Sequence, residues 1–507
     1  MPLWPRLLPL PAALLVALSL PAHGQSLIEL YDAARGYDAT YKAALAQYDA
    51  SIARAAQAKA GILPAVGLSG SAVHSNINVE TPQADVTRKI NTEAGGINAT
   101  QPLYRPANWA TYEQGKRQAE IAQAVLTSAE QDLIVRVSQG FFDVLASQDT
   151  LALVRAQKAA TSEQLASAKR NFEVGTATIT DTREAQARYD LGVSQEIAAE
   201  NDLQIKKIAL DELVGRIGTN PTPLAAPVTL PALLPADVNA WVAQAEEIHP
   251  AIIQAKLGVD VAGLEVKKAE AGHKPTLDVQ AGYNVTNNPQ GTTTALGKSR
   301  INAGTVGVVF NMPLFAGFAT ENRIKETLAL EDQSRSILDA TRRTVNQATR
   351  SVYLSLVSGA GQVKALEAAE ASSQSALDAN RLGYQVGVRI NIDVLNSQSQ
   401  LYQTKRDLAL ARYGVLLGNL KLRQANGSLV RTDMEPINAV LAQAGSPGAA
   451  ASPTVPSAAT ISPVPVPANS IPGATPVPVV PQQPFNPQAP VMPVPPPPPV
   501  ILNPPTR

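Results

Sequence analysis

Phosphate chemistry has one candidate in this chain, the glycine-bracketed run Gly291-Thr292-Thr293-Thr294-Ala295-Leu296-Gly297-Lys298-Ser299. A phosphate-binding loop needs four residues between its glycines and a helix start just beyond, so that backbone N–H groups converge on the anion. This run has five and lies between two strand-like segments, so it is expected to be a surface loop. Metal chemistry fares no better: His23 falls in an export signal, and His74, His249 and His273 lack metal-ligand spacing. The absence of cysteine excludes thiolate sites, disulfides, thiol nucleophiles and lipid attachment at a processed N-terminus. Neither catalysis nor a cofactor or metal is expected.

The residues that stand out do so by recurrence. Ala60-Gly61-Ile62-Leu63-Pro64 and Gln101-Pro102-Leu103-Tyr104 reappear as Ala271-Gly272-His273-Lys274-Pro275 and Met312-Pro313-Leu314-Phe315, offset by 211 residues. Val174-Gly175 with Asp181 and Gln186 reappears as Val386-Gly387 with Asp393 and Gln398, offset by 212. A unit of about two hundred residues is too long for a solenoid repeat. Each copy runs helix, strand, strand, very long helices, so two halves must close around something. The halves span 25–220 and 237–430, with a proline-rich linker at 221–236.

With 42 acidic and 42 basic residues, the chain has no electrostatic footprint for nucleic acid. Only 4% of residues are aromatic, which suits close-packed helices with solvated faces better than a globular core. Arg6, the apolar run from Leu7 to Leu18 and Ala22-His23-Gly24 read as a signal peptide over 1–24. No apolar stretch approaches the roughly 20 residues of a spanning helix. If the protein lives in a membrane, it does so through strands.

No proline interrupts Ala107 to Asn220 or Leu314 to Glu435, and both regions are rich in strong helix formers. The stretch Ala107 to Glu173, if continuous, extends about 100 Å. In the last long helix Leu401, Leu408, Val415 and Leu422 repeat every seven residues, and Leu410, Tyr413, Leu417 and Leu420 form a second stripe. Two stripes require neighbours on both sides. Thr404, Ala411 and Gly418 allow close approach.

Two extended segments interrupt each copy. Leu277 to Thr286 alternates apolar and polar residues, as does Thr305 to Met312; Val66 to Val79 and Arg88 to Gln101 are weaker counterparts. Alternation over about ten residues is the period of a transmembrane barrel strand. Four strands cannot close a barrel, and an open edge in lipid strands backbone donors and acceptors. The chain must therefore oligomerise: two copies give eight strands, three give twelve and room for a lumen.

From about Ser26 to Val430 the chain resembles the TolC family of outer membrane efflux and secretion channels. The resemblance rests on Leu63-Pro64 and Lys274-Pro275, on Pro102-Leu103-Tyr104 and Pro313-Leu314-Phe315, and on two longer matches. These are Asn171-Phe172-Glu173-Val174-Gly175 with Ile179-Thr180-Asp181, and Gly383-Tyr384-Gln385-Val386-Gly387 with Ile392-Asp393-Val394-Leu395. It implies a membrane α+β fold: a homotrimeric twelve-stranded outer-membrane β-barrel, four strands per subunit, continued by a long α-helical barrel in the periplasm. It also implies outer membrane lipid around the barrel, and docking to a periplasmic adaptor and an inner-membrane transporter of ABC or RND type. The function implied is the exit duct of a tripartite efflux pump or a type I secretion system.

The resemblance also assigns residues. Val174, Gly175, Val386 and Gly387 match helix-tip turns that dock an adaptor, where Gly175 and Gly387 fit reversals that side chains resist. Asp393 matches a pore-constriction carboxylate, and Asn396 stands where TolC itself carries a second one, so one acidic ring backed by an amide ring is expected. Tyr384 and Arg389 match residues that tie the second tip to Thr180 and Asp181 of the first, within or between subunits, as a reversible lock.

From Ser446 onward come 21 of the 40 prolines and no charge before Arg507, so 431–507 reads as a disordered, polyproline-like tail. Two other classes fit parts of the pattern. A periplasmic adaptor has long helical hairpins but also a lipoyl-like β domain; a diffusion porin has many strands and few helices.

Overall fold

The computed structural model describes residues 24–81, 84–224, 230–231, 233–292 and 297–442. The signal-peptide reading, the tail beyond residue 442 and the centre of the Gly291–Ser299 loop lie outside these residues.

The first half opens with α1 (Leu27–Tyr37) and α2 (Ala39–Ala60), continues through strands β1 (Ala65–Thr81) and β2 (Ala84–Tyr104), and returns along α3 (Pro106–Glu173) and α4 (Ile179–Val214). The second repeats it as α5 (Val238–Ile248), α6 (Pro250–Glu270), β3 (Thr276–Asn288), β4 (Ser299–Asn311), α7 (Ala319–Gln385) and α8 (Asn391–Asn426). The 68-residue α3 and 67-residue α7 are each about 100 Å long. Pro106 begins α3 at a position where a missing N–H costs nothing. The duplicated order expected from the sequence is thus the order observed.

The strands form one antiparallel sheet in the order β1-β2-β3-β4. Pairing of β2 with β3 joins the two halves, with Ile97 opposite Tyr283. Register puts Val66, Leu68, Ile97, Val279, Tyr283, Val306, Val308 and Phe310 on one face, and Ser69, Asn98, Thr100, Gln280, Asn284 and Thr305 on the other. One apolar and one polar face is the arrangement of a barrel wall between lipid and water. The first-copy strands, weaker in the sequence, are the longer pair, at 17 and 21 residues against 13 and 13. Beyond the last β2–β3 pair, Glu93 opposite Asn287, the β1–β2 hairpin continues to Thr81 opposite Ala84. Most of that extension lies within the Val66 to Val79 and Arg88 to Gln101 segments read from the sequence; only the last residues before the turn were left out. At the other end of the sheet Arg105, just before α3, donates to buried Asp278 through Nε at 2.7 Å and Nη2 at 2.5 Å, fastening β3 to the root of the helix.

Below the sheet α3 pairs with α4, α7 with α8, and α3 lies against α8. Leu408, Val415 and Leu422 pack with Leu356 and Val363 of α7 and Trp241 of α5, while Leu401 packs with Leu377. Tyr413, Leu417 and Leu420 face the other way, into the cluster of Phe141, Phe142 and Leu145 on α3. Both stripes read from the sequence are therefore buried, except Leu410, which is 44% exposed. Gly418 admits α7 closely: a Cβ there would lie 3.1 Å from Leu356 Cδ1.

The main core sits at mid-height, where α1, α3, α4 and α8 meet. Residues 431–442, placed in the tail on proline content, belong to this core instead. A short 3-10 turn over Arg431–Met434 leads into α9 (Glu435–Ala442), and Met434, Ile437 and Leu441 are buried against it. Their apolar spacing outweighs the single Pro436, which sits in the first turn of α9 where proline is tolerated.

The two copies cap their second helices differently. Asp38 accepts from Tyr41 N at 2.7 Å and is gripped by Arg136 at 2.9 and 3.1 Å. That guanidinium holds the Asp38 carboxyl below its usual range despite burial. The counterpart is His249, whose Nδ1 accepts from Ala251 N at 3.1 Å and whose pKa is lowered by burial. A depressed histidine favours the neutral, accepting imidazole, so its stabilisation is complete above the unfolded pKa of about 6.5 and fades as pH falls below it. Lowering the pH from 7 to 5 should thus cost about 1 kcal/mol at this cap. His249→Asn, which keeps an acceptor without a titration, should flatten the pH dependence of the melting temperature over that interval; an unchanged slope would exclude the cap as its source.

Candidate gate at the helix tips

The tips are built by glycine. Gly175 (φ 77°) and Gly387 (φ 79°) adopt the left-handed conformation that ends α3 and α7. Thr176 N donates to Asn171 O at 2.8 Å, and Val388 N to Gly383 O at 2.9 Å, so the two turns are copies in geometry as well as in sequence. Each leaves apolar side chains in water: Val174, Val386 and Val388 are 72%, 65% and 75% exposed.

The helices that leave the turns start differently, and this decides what their aspartates can do. Thr178 caps α4 in a capping box: its Oγ1 accepts from Asp181 N at 3.2 Å, while Asp181 Oδ2 accepts from Thr178 N at 3.0 Å and Oγ1 at 2.7 Å. The matching position before α8 is Ile390, which makes no side-chain cap. Asp393 is therefore not consumed locally. Its carboxylate lies 3.6 Å from the Arg389 guanidinium and stays about one-third exposed. The contrast of Thr-x-x-Asp with Ile-x-x-Asp was readable from the sequence, since a capping box has that signature, and it was missed there.

Arg389 reaches Asp393 by running over Gly383, where an added Cβ would lie 2.7 Å from the arginine Cγ. Tyr384 Oη accepts from Asn171 Nδ2 at 3.1 Å, linking α7 to α3. Asn396 accepts from Arg188 Nη2 at 3.1 Å, linking α8 to α4. Gln164 donates to the buried Asn391, and Gln398 Nε2 to Thr161 Oγ1 at 3.4 Å. Within one subunit, then, Tyr384 and Arg389 meet Asn171 and Asp393, whereas Thr180 and Asp181 belong to the start of α4. The tie to Thr180 and Asp181, expected within or between subunits, is not among the contacts of one subunit.

The seams around this site differ in kind. Inside the α7–α8 pair the contact is mainly apolar, through Leu377, Val394 and Leu401, with one polar link where Asn380 donates to Ser397. Between α3 and α8 near the tips it is largely amide and hydroxyl, with one apolar patch of Leu165, Ala168, Ala185 and Leu395. Polar pairs exchanged against water contribute little net energy.

Known proteins complete the comparison. The sequence model of the family described as outer membrane efflux protein matches residues 30–216 and 241–428, one match in each half. Outer membrane protein TolC of Vibrio cholerae is 32% identical over 437 residues, covering 86% of this chain and 98% of that protein. The alkaline protease secretion protein AprF of Pseudomonas aeruginosa is 30% identical over 430 residues, covering 83% and 89%. Among solved structures, the outer membrane protein VceC of Vibrio cholerae superposes with a TM-score of 0.69 at 19% identity, covering 80% of this chain and 96% of that one.

Proposed function

The chain belongs to the outer membrane efflux protein family, and we propose that three copies of it close one twelve-stranded barrel and one helical tunnel beneath it. It is an outer membrane exit duct for efflux and type I secretion. The observation that carries the trimer is the four-stranded sheet: β1 and β4 each have an unpaired edge within the subunit, which lipid does not tolerate. The same edges recur in every copy, so β4 of one subunit pairs with β1 of the next until the ring closes. Exposed apolar residues on the flanking helices, Ile205 and Ile208 on α4 and Leu354 and Val357 on α7, fit the matching contact between neighbouring helix pairs. Heating the detergent-extracted protein before electrophoresis tests this: a band of three subunits that collapses to one on boiling is expected, and a monomer at all temperatures would refute the closed barrel.

The tips form the gate and the dock in this reading. Val174, Gly175, Val386 and Gly387 present the knobs that a helical hairpin of a periplasmic adaptor grips, and the adaptor joins the duct to an inner-membrane transporter of the ABC or RND type. Three copies of Asp393, with Asn396 one helical turn further along, ring the axis. Tyr384 and Arg389 hold each α7–α8 pair inward, through Asn171 in the same subunit and through Thr180 or Asp181 of its neighbour. Bonds of this kind contribute only about 1–3 kcal/mol, within what adaptor docking offsets. Arg389→Ser combined with Tyr384→Phe should raise resting single-channel conductance severalfold; a double variant as closed as the parent would exclude the lock.

A further inference from the structure

The apolar face of the sheet ends in unpaired cations on its outer side. From Leu277 to Val285 that face runs for nine residues, about 27 Å along the strand, which is the order of a barrel's apolar band of about 25 Å. The next row on the same face is Glu93, Asn287 and Arg300, set side by side by the register. Lys298 and Arg300 line an open groove of about 490 Å³ between β2, β3 and β4. Lys89 lies two rows further out on the same face of β2, opposite Asn76. All three are exposed, and among the described residues none has a carboxylate within ion-pair distance. Glu93, the carboxylate on the groove, accepts instead from Asn287 Nδ2 at 3.0 Å. At the opposite end of the sheet the arginine is spent: Arg105 is paired with Asp278.

We propose that this rim binds the phosphates of a phosphorylated glycolipid in the outer leaflet of the membrane. The inference rests on the barrel reading above, in which the hairpins point outward and the apolar face meets lipid. Cations that close a lipid-facing apolar band stand at headgroup depth, where an anionic lipid is the neighbour always present. Acyl chains would lie along Val285 and Tyr283 while the headgroup phosphate sits in the groove against Lys298 and Arg300.

The test uses the purified full-chain trimer in detergent with lipid A as probe. Lipid A bearing both phosphates should bind and raise the temperature of trimer dissociation; dephosphorylated lipid A should bind at least about tenfold more weakly. Each cation near an anionic headgroup is worth roughly fivefold in affinity, so K89Q/K298Q/R300Q should lose about a hundredfold and Arg300→Gln alone about fivefold. Equal binding by the triple variant, or by the dephosphorylated lipid, would overturn the proposal. Displacement by equimolar inorganic phosphate would also overturn it, assigning the groove to a free anion. Should the triple variant not assemble, Arg300→Gln decides by the same comparison. Single-channel conductance is measured on the same preparations: a parent that conducts but ignores lipid A defeats only the lipid site, whereas one that does not conduct defeats the duct.

Discussion

Gly427→Ala is expected to destabilise the assembled protein by about 3–4 kcal/mol per subunit. Gly427 ends α8 at φ 84°, where a side chain costs roughly 1–2 kcal/mol through backbone strain. The site is also closed: an added Cβ would lie 2.5 Å from His249 Cα and 2.9 Å from Pro250 Cδ. Backbone at the start of α6 cannot swing aside as a side-chain end would, so overpacking adds a further ~1–3 kcal/mol. Gly387 is the internal control, because it has nearly the same φ, 79°, and nothing within 4 Å of an added Cβ. Gly387→Ala should cost only the strain. The check is the dissociation temperature of each trimer, and equal shifts for the two variants would show that the packing of α8 on α6 is not the cause.

Asp393→Ala should reduce the cation preference of the open or leaking channel roughly tenfold at low salt, in single-channel reversal potentials. In the proposed trimer three Asp393 carboxylates would stand near one axis and concentrate cations much as charged rings do in other pores. The local pairing sharpens the expectation. Arg389 lies 3.6 Å from Asp393 and offsets part of its charge, so Arg389→Ser should raise cation preference while Asp393→Ala lowers it. Asn396 adds no charge, and its contact with Arg188 Nη2 at 3.1 Å leaves the mouth with a guanidinium beside the amide. Both effects should shrink as ionic strength rises and screening sets in. Two variants shifting selectivity in the same direction would remove Asp393 from the constriction.

Three features are legible in the chain by itself because each rests on local chemistry that neighbours in sequence carry together. The duplication is one, written in repeated glycine and proline positions. The tip turns are another, since only glycine adopts the left-handed conformation at Gly175 and Gly387 without strain. The third is the pair of stripes on α8, because heptad spacing fixes which side chains share a face; Leu410 escaped it by lying on the uncovered side in the subunit.

What tertiary structure alone decided concerns groups whose partners are distant in sequence. No local signal says that Asp278 is closed by Arg105, 173 residues away, or that Tyr384 meets Asn171 across 213. Residues 431–442 looked like the beginning of a tail until Met434 and Leu441 found a core assembled by α1, α3 and α8. The β1–β2 hairpin runs only a few residues beyond the Val66 to Val79 and Arg88 to Gln101 segments read from the sequence, but its pairing partner β3, nearly two hundred residues away, was not written in either. Sequence fixes what each segment prefers by itself. Which distant groups meet, as Tyr384 and Asn171 do, depends on how the two copies are packed together.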